Sequence, residues 1–219
     1  YYGDHAPLSR TQFGPRQIER YAAACLDYQH DVLPDLSVLV SPSVLFDDFR
    51  DTWSEIALNM AEAAVDHHGA MNNARPLLVT IVTSELALRN ATGMAEFLDA
   101  LSVLDVEGFY LLVNRSGGGY QAAMDARAME SLLYFVHVLG HLNDYQVVVG
   151  YSDCLGFILR AAGAAATATG WHQSLRQFSM ARFEPAGGGR RPPKRYSSAP
   201  MLSSPLIVPE LEDINRVGM

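Results

Sequence analysis

Short apolar runs along this chain alternate with longer stretches in which apolar residues recur at helical spacing. The clearest passage runs from Tyr145 to Phe178, YQVVVGYSDCLGFILRAAGAAATATGWHQSLRQF. Gln146 to Tyr151 is rich in β-branched residues, which predicts a strand buried on both faces. Ser152 and Asp153 stand where the next helix needs an N-cap. Leu155 to Ala162 reads as a short helix stopped by Gly163, and Ala164 to Thr169 as the next strand. Strand, crossover helix and strand make a βαβ unit with a parallel sheet.

The same alternation extends along the chain. Gly14-Pro15 opens a helix that carries Ile18, Tyr21, Ala22, Cys25, Leu26 and Gln29 on one side through about Asp31. Leu36 to Val40 reads as a strand and Phe46 to His68 as a long helix. Pro76 to Val82 and Gly108 to Val113 are further strands, with helices over Met94 to Leu104 and Met124 to Leu139. Five strands alternate with helices and no hairpin signal occurs, which predicts an α/β fold. The expected architecture is a (β/α) barrel of the TIM type. Closure needs eight strands, so the barrel is expected to be incomplete or trimmed at its N-terminus, where the chain begins at Tyr1. The alternative is an open doubly wound parallel sheet. Residues 1–184 form the expected barrel domain. Residues 185–219 form a Gly/Pro-rich basic loop followed by a C-terminal strap and helix packing on the same domain.

Composition narrows the function. Apolar residues make up 49% and charged residues 18% of 219 positions, which fits a globular protein. The formal net charge of −8 sets up a field that repels nucleic acid and anionic membrane. Nucleic acid could then be met only through the local basic run Arg190, Arg191, Lys194 and Arg195, with Tyr196 beside it. No run of apolar residues is long enough to span a bilayer, so no membrane partner is expected. Cys25 and Cys154 lie in apolar segments and are expected to be buried free thiols, which with the lack of a signal peptide suggests a cytoplasmic location. No cofactor is implied, and a homodimer is left open.

In parallel sheets the chemistry lies at the carboxyl ends of the strands. The polar residues at those ends are therefore the candidates. Asp153 is the expected acid–base group, although as an isolated residue it reads as an N-cap. Ser41, Glu85, Asn114, Tyr151, Trp171, His172 and Arg176 are the expected ligand-binding residues. Tyr151 and Trp171 would stack on the ligand, while Asn114, Asp153 and Arg176 would hydrogen-bond it. Arg176 is expected near the first turn of a helix with Leu175 and Phe178 facing inward, where it needs a carboxylate such as Asp153 or Glu85, or an anionic ligand. The Gly117 to Gly119 run lacks the spacing of a phosphate loop and reads as a flexible crossover. His67 and His68 suit a helix end. His137 and His141 share one helix face, as two metal ligands would, but no third ligand is evident and no metal site is assigned.

The order of turns resembles the tRNA-guanine transglycosylase type of TIM barrel. The similarity covers about half the chain: PLLVTIV, DVEGFYLLVN, and the passage from Val147 to Phe178. Gly150, Asp153, Leu155, Ala162 and Gly163 sit comparably to that family's turn, helix and glycine step before its catalytic strand. Where the family carries an Asp nucleophile this chain has Thr167-Ala168-Thr169, and the cysteine-rich zinc site has no counterpart. The expected function is a TIM-barrel enzyme, a transferase or hydrolase of nucleobase or glycosyl type, or an enzyme-derived binder of a small polar or nucleobase-like ligand. The alternative is a protein-interaction module that kept the barrel and lost the chemistry.

Overall fold

The computed structural model describes residues 9–71, 73–115, 124–170, 176–180, 196 and 206–217. The Gly117 to Gly119 crossover, Trp171, His172, Leu175 and the basic run from Arg190 to Arg195 lie outside them. Helix α1 spans Pro15–Val32, followed by strands β1 (Leu39–Val40) and β2 (Leu45–Phe46) and helix α2 (Thr52–Ala70). Strand β3 (Leu77–Ser84) runs straight into α3 (Glu85–Asn90), and α4 covers Met94–Ser102. Strand β4 (Gly108–Asn114) precedes α5 (Ala126–His137), whose end widens into a π-helical turn over Val138–Leu142. Strand β5 (Gln146–Val149), a 3-10 turn (Asp153–Leu155), α6 (Gly156–Ala162), β6 (Ala166–Thr167) and the terminal helix α7 (Glu212–Val217) complete the described order.

All strand pairs are parallel, in the order β1-β3-β4-β5-β6, with β2 also on β3. The expected α/β fold with a parallel sheet is met, and the sheet is open. Strands β1 and β6 lie at opposite ends, and no pairing joins them among the described residues. Six strands, three of them two residues long, do not make the closed ring that a barrel requires.

Side chains alternate between the faces of a strand, and the two faces here differ. Val79 and Ile81 of β3, Phe109, Leu111 and Val113 of β4, and Val147 and Val149 of β5 pack against α2 to α6 in one continuous core. The opposite face holds a small cluster of Val82, Leu112 and Phe178, edged by Leu45, Tyr110 and Tyr151. No described helix contributes to it.

Several expected elements shift. Phe46 is in a strand, and α2 begins only after Asp51, whose carboxylate accepts the Ser54 N–H at 2.8 Å. Four residues, Ser41 to Val44, separate two pairings that are only three residues apart on β3, so this edge carries a bulge. Pro42 has no N–H for the ladder. The Ser41 hydroxyl fills the gap by accepting the Thr80 N–H at 2.9 Å. Strand β5 is buried on one face only, with Gln146 exposed. Strand β6 is shorter than Ala164 to Thr169, spanning Ala166–Thr167, although the Ala165 and Ala168 N–H groups on either side still donate to the Val147 and Val149 carbonyls.

The outer edge of β1 is closed by a side chain. Gln29 of α1 accepts the Val40 N–H at 2.9 Å and donates to the Val40 carbonyl at 2.7 Å. This blocks the free edge against further pairing. Gln29→Leu is expected to lower stability by about 2 kcal/mol, because two backbone groups lose their partner where water is excluded. A urea melt with unchanged slope and a lower midpoint is the check.

Candidate functional site

The carboxyl ends of β3 and β4 are tied together by a buried ion pair. Ser84 caps α3 by accepting the Ala87 N–H, which places Glu85 in the first helical turn. The Glu85 carboxylate lies 3.6 Å from the Arg115 guanidinium, with both side chains at most 10% exposed. Its other oxygen accepts the Asp125 N–H at 3.0 Å. Asp125 in turn caps α5 through the N–H groups of Arg127 and Ala128. One carboxylate thus joins the end of β3, the end of β4 and the start of α5.

Residues 176–180 lie across the same end. The Arg115 N–H donates to the Phe178 carbonyl at 3.1 Å. The Met180 N–H donates to the Asn114 side-chain oxygen at 3.0 Å. Phe178 is buried over Val82 and Leu112, and its ring centroid is 5.6 Å from that of Tyr151. The segment is a strap, not the expected helix, although Phe178 does face inward. Arg176 is half-buried, and among the described residues it has no ion-pair partner. The guanidinium beside Glu85 belongs to Arg115 instead.

Tyr151 and Asp153 both adopt left-handed backbone, with φ of 54° and 48°. Such residues are strained and gather at functional sites. Asp153 is not an N-cap: it is the first residue of the 3-10 turn, and no side chain caps either that turn or α6. Its half-buried carboxylate has no hydrogen-bond partner among the described residues. Ser152 is occupied, its N–H and hydroxyl both donating to the Ala168 carbonyl. Asp153→Gly is expected to raise stability by up to about 1 kcal/mol by relieving left-handed strain. Thermal melts of the variant beside the wild type provide the check.

Tyr110 belongs with this group although its place inside an apolar run hides it in the sequence. It faces the side on which no described helix packs, and its hydroxyl rests against Gly150, where a Cβ would come within 2.6 Å of the phenol oxygen. Burial pushes its phenol above the usual value, with Tyr151 adding to the shift, so it stays a neutral donor. On β3 beside it, the buried Thr80 hydroxyl has no hydrogen-bond partner among the described residues.

No protein family, no curated protein and no solved structure matches this chain. Its site is therefore read from its own geometry. The structure brings Glu85, Asn114 and Tyr151 to one end of the sheet, with Asp153 following Tyr151. It gives Ser41 a role in the ladder.

Elsewhere, two open hollows of about 870 and 730 Å³ flank α1, one lined by Arg16, Arg20 and Tyr21, the other by Glu19, Glu62 and Asp66. Neither includes a strand-end residue. Cys154 is exposed rather than buried, and Cys25 is half-buried, its thiol pushed up by burial. Among the described residues no helix is long and apolar enough to cross a membrane, and no three metal-ligating side chains gather.

Proposed function

We propose that the protein is an enzyme, or an enzyme-derived binder, that takes a small, planar, polar ligand of nucleobase type at the carboxyl ends of its strands, on the face where no described helix packs. The observation that carries this reading is the gathering of Tyr110, Tyr151 and Phe178 on one face with the Thr80 hydroxyl, which has no hydrogen-bond partner among the described residues. Aromatic rings supply stacking surface to a flat ligand. The Tyr110 phenol, the Thr80 hydroxyl and the Asn114 amide supply orienting hydrogen bonds. Asp153 supplies the acid–base group, which suits proton transfer in a transferase or hydrolase reaction. The transglycosylase resemblance agrees in ligand class but offers no nucleophile at Thr167 to Thr169.

The sheet is read as a sector of a barrel. From β3 to β6 each strand adds to the same edge in chain order, and the helices of the main core pack on one face. An open doubly wound sheet fits the described strands as well.

A second reading, a partner-binding module, is favoured by α6. It presents Phe157 at 81% exposure next to Ile158, beside the edge strand β6. A thermal-shift series with nucleobases, nucleosides and sugar phosphates decides between them. A true ligand at about 100 times its Kd stabilises by about 2.7 kcal/mol. No shift with any of these compounds favours the interaction module.

A further inference from the structure

Five histidines are described, and two of them differ from the rest. His30, His67 and His68 each have a ring nitrogen at hydrogen-bond distance from Asp31, Asp27 and the Arg75 carbonyl respectively. His137 and His141 have no hydrogen-bond partner for their rings among the described residues. Their rings lie against each other instead, with centroids 5.2 Å apart and planes inclined by 29°. His137 is half-buried and His141 is exposed, so solvent reaches the pair. Four residues apart on one side of the helix end, the two imidazoles have the spacing at which two ring nitrogens can share one ion.

The backbone beneath the pair is held firmly. His137 ends α5, and His141 lies in the π-helical turn from Val138 to Leu142. Isolated π-turns are rare and occur frequently at functional sites. The Asn143 N–H and side-chain amide both donate to the Val138 carbonyl, and the Tyr145 N–H donates to the Leu139 carbonyl. Gly140 packs on the Gly163 carbonyl so closely that a Cβ would lie only 2.3 Å from that oxygen. The two rings are therefore carried by a rigid turn, which reduces the ordering cost of binding.

We propose that His137 and His141 form a two-imidazole site for a divalent transition metal such as Zn²⁺, Ni²⁺ or Cu²⁺. Imidazole suits these ions, whereas Mg²⁺ and Ca²⁺ prefer oxygen ligands. Two protein ligands leave the remaining coordination positions to water or to an exogenous ligand. The site lies on the helix layer, separate from the strand-end face.

Titration calorimetry of the full chain with each metal chloride tests this. The expected result is saturable binding of one Ni²⁺, Zn²⁺ or Cu²⁺ per chain, with no comparable response to Mg²⁺. Either His137→Gln or His141→Gln is expected to weaken binding about hundredfold, since the chelate advantage of two linked ligands is lost. The paired control His67→Gln/His68→Gln is expected to retain wild-type affinity. Copper EPR of the wild type is expected to show coupling to two nitrogens. His141 is exposed, so His141→Gln keeps the test decisive even if His137→Gln disturbs folding. Absence of saturable binding by all three metals overturns the proposal, as does wild-type affinity in His141→Gln.

Discussion

Glu85→Ala is expected to lower stability by about 3 kcal/mol, because it removes a buried carboxylate that lies 3.6 Å from the buried Arg115 guanidinium. For a chain of this size that corresponds to a fall in Tm of roughly 6–12 °C. The same substitution removes the acceptor for the Asp125 N–H, so the start of α5 loosens together with the end of β4. Glu85→Gln keeps an oxygen for that N–H but loses the charge, and is expected to fall between Glu85→Ala and wild type. Replacing the pair together, Glu85→Leu with Arg115→Met, is expected to recover much of the loss, since packed apolar side chains tolerate this environment. A double-mutant cycle read by thermal melts measures the coupling. Additive single effects would show that the two side chains do not act as a pair.

Phe46→Ala is expected to have an effect at least as large, about 4 kcal/mol. Phe46 is 1% exposed and belongs to a group of aromatic rings with Phe49, Phe97 and Phe135. Its centroid is 5.1 Å from that of Phe97 and 5.4 Å from that of Phe49. The substitution opens a cavity between β2, α4 and α5 that rigid neighbours on a parallel sheet cannot collapse. Phe46→Leu keeps most of the volume and is expected to cost far less. Denaturant melts of the two variants, compared at constant slope, provide the check.

Phe46 also shows where the sequence is hard to read. A two-residue strand carries no measurable periodicity, and Pro42 between Ser41 and Ser43 reads as a terminator. The structure restarts the edge after a bulge, with Ser41 bridging the gap. By contrast, α1 was legible at both ends, since Pro15 sets its start and its apolar stripe outlines its length. Strands β3 and β4 were legible because their long apolar runs fit strands buried along nearly their whole length. Gly163, with φ of 121°, marks the end of α6 as the sequence suggests.

The site was legible in outline. Strand ends locate Glu85, Asn114, Tyr151 and Asp153, because topology places them regardless of partner. Their partners depend on contacts far apart in sequence. Nothing local distinguishes Arg115 from Arg176 as the cation beside Glu85. Tyr110 sits in a run where both faces are buried, so alternation does not reveal which way it points. Asp153 looks like a cap because a carboxylate before a helix usually is one. The left-handed backbone at this position instead turns the chain into a 3-10 turn.

Binding of a flat, polar ligand on the face where no described helix packs is tested most directly by residue-specific NMR during titration with nucleobases, nucleosides and sugar phosphates. Saturable shifts are expected at Thr80, Tyr110, Asn114, Tyr151 and Phe178, and much weaker ones in a Tyr151→Ala, Phe178→Ala variant that remains folded. Shifts confined to the hollows along α1, or none at any of these five residues, would contradict it.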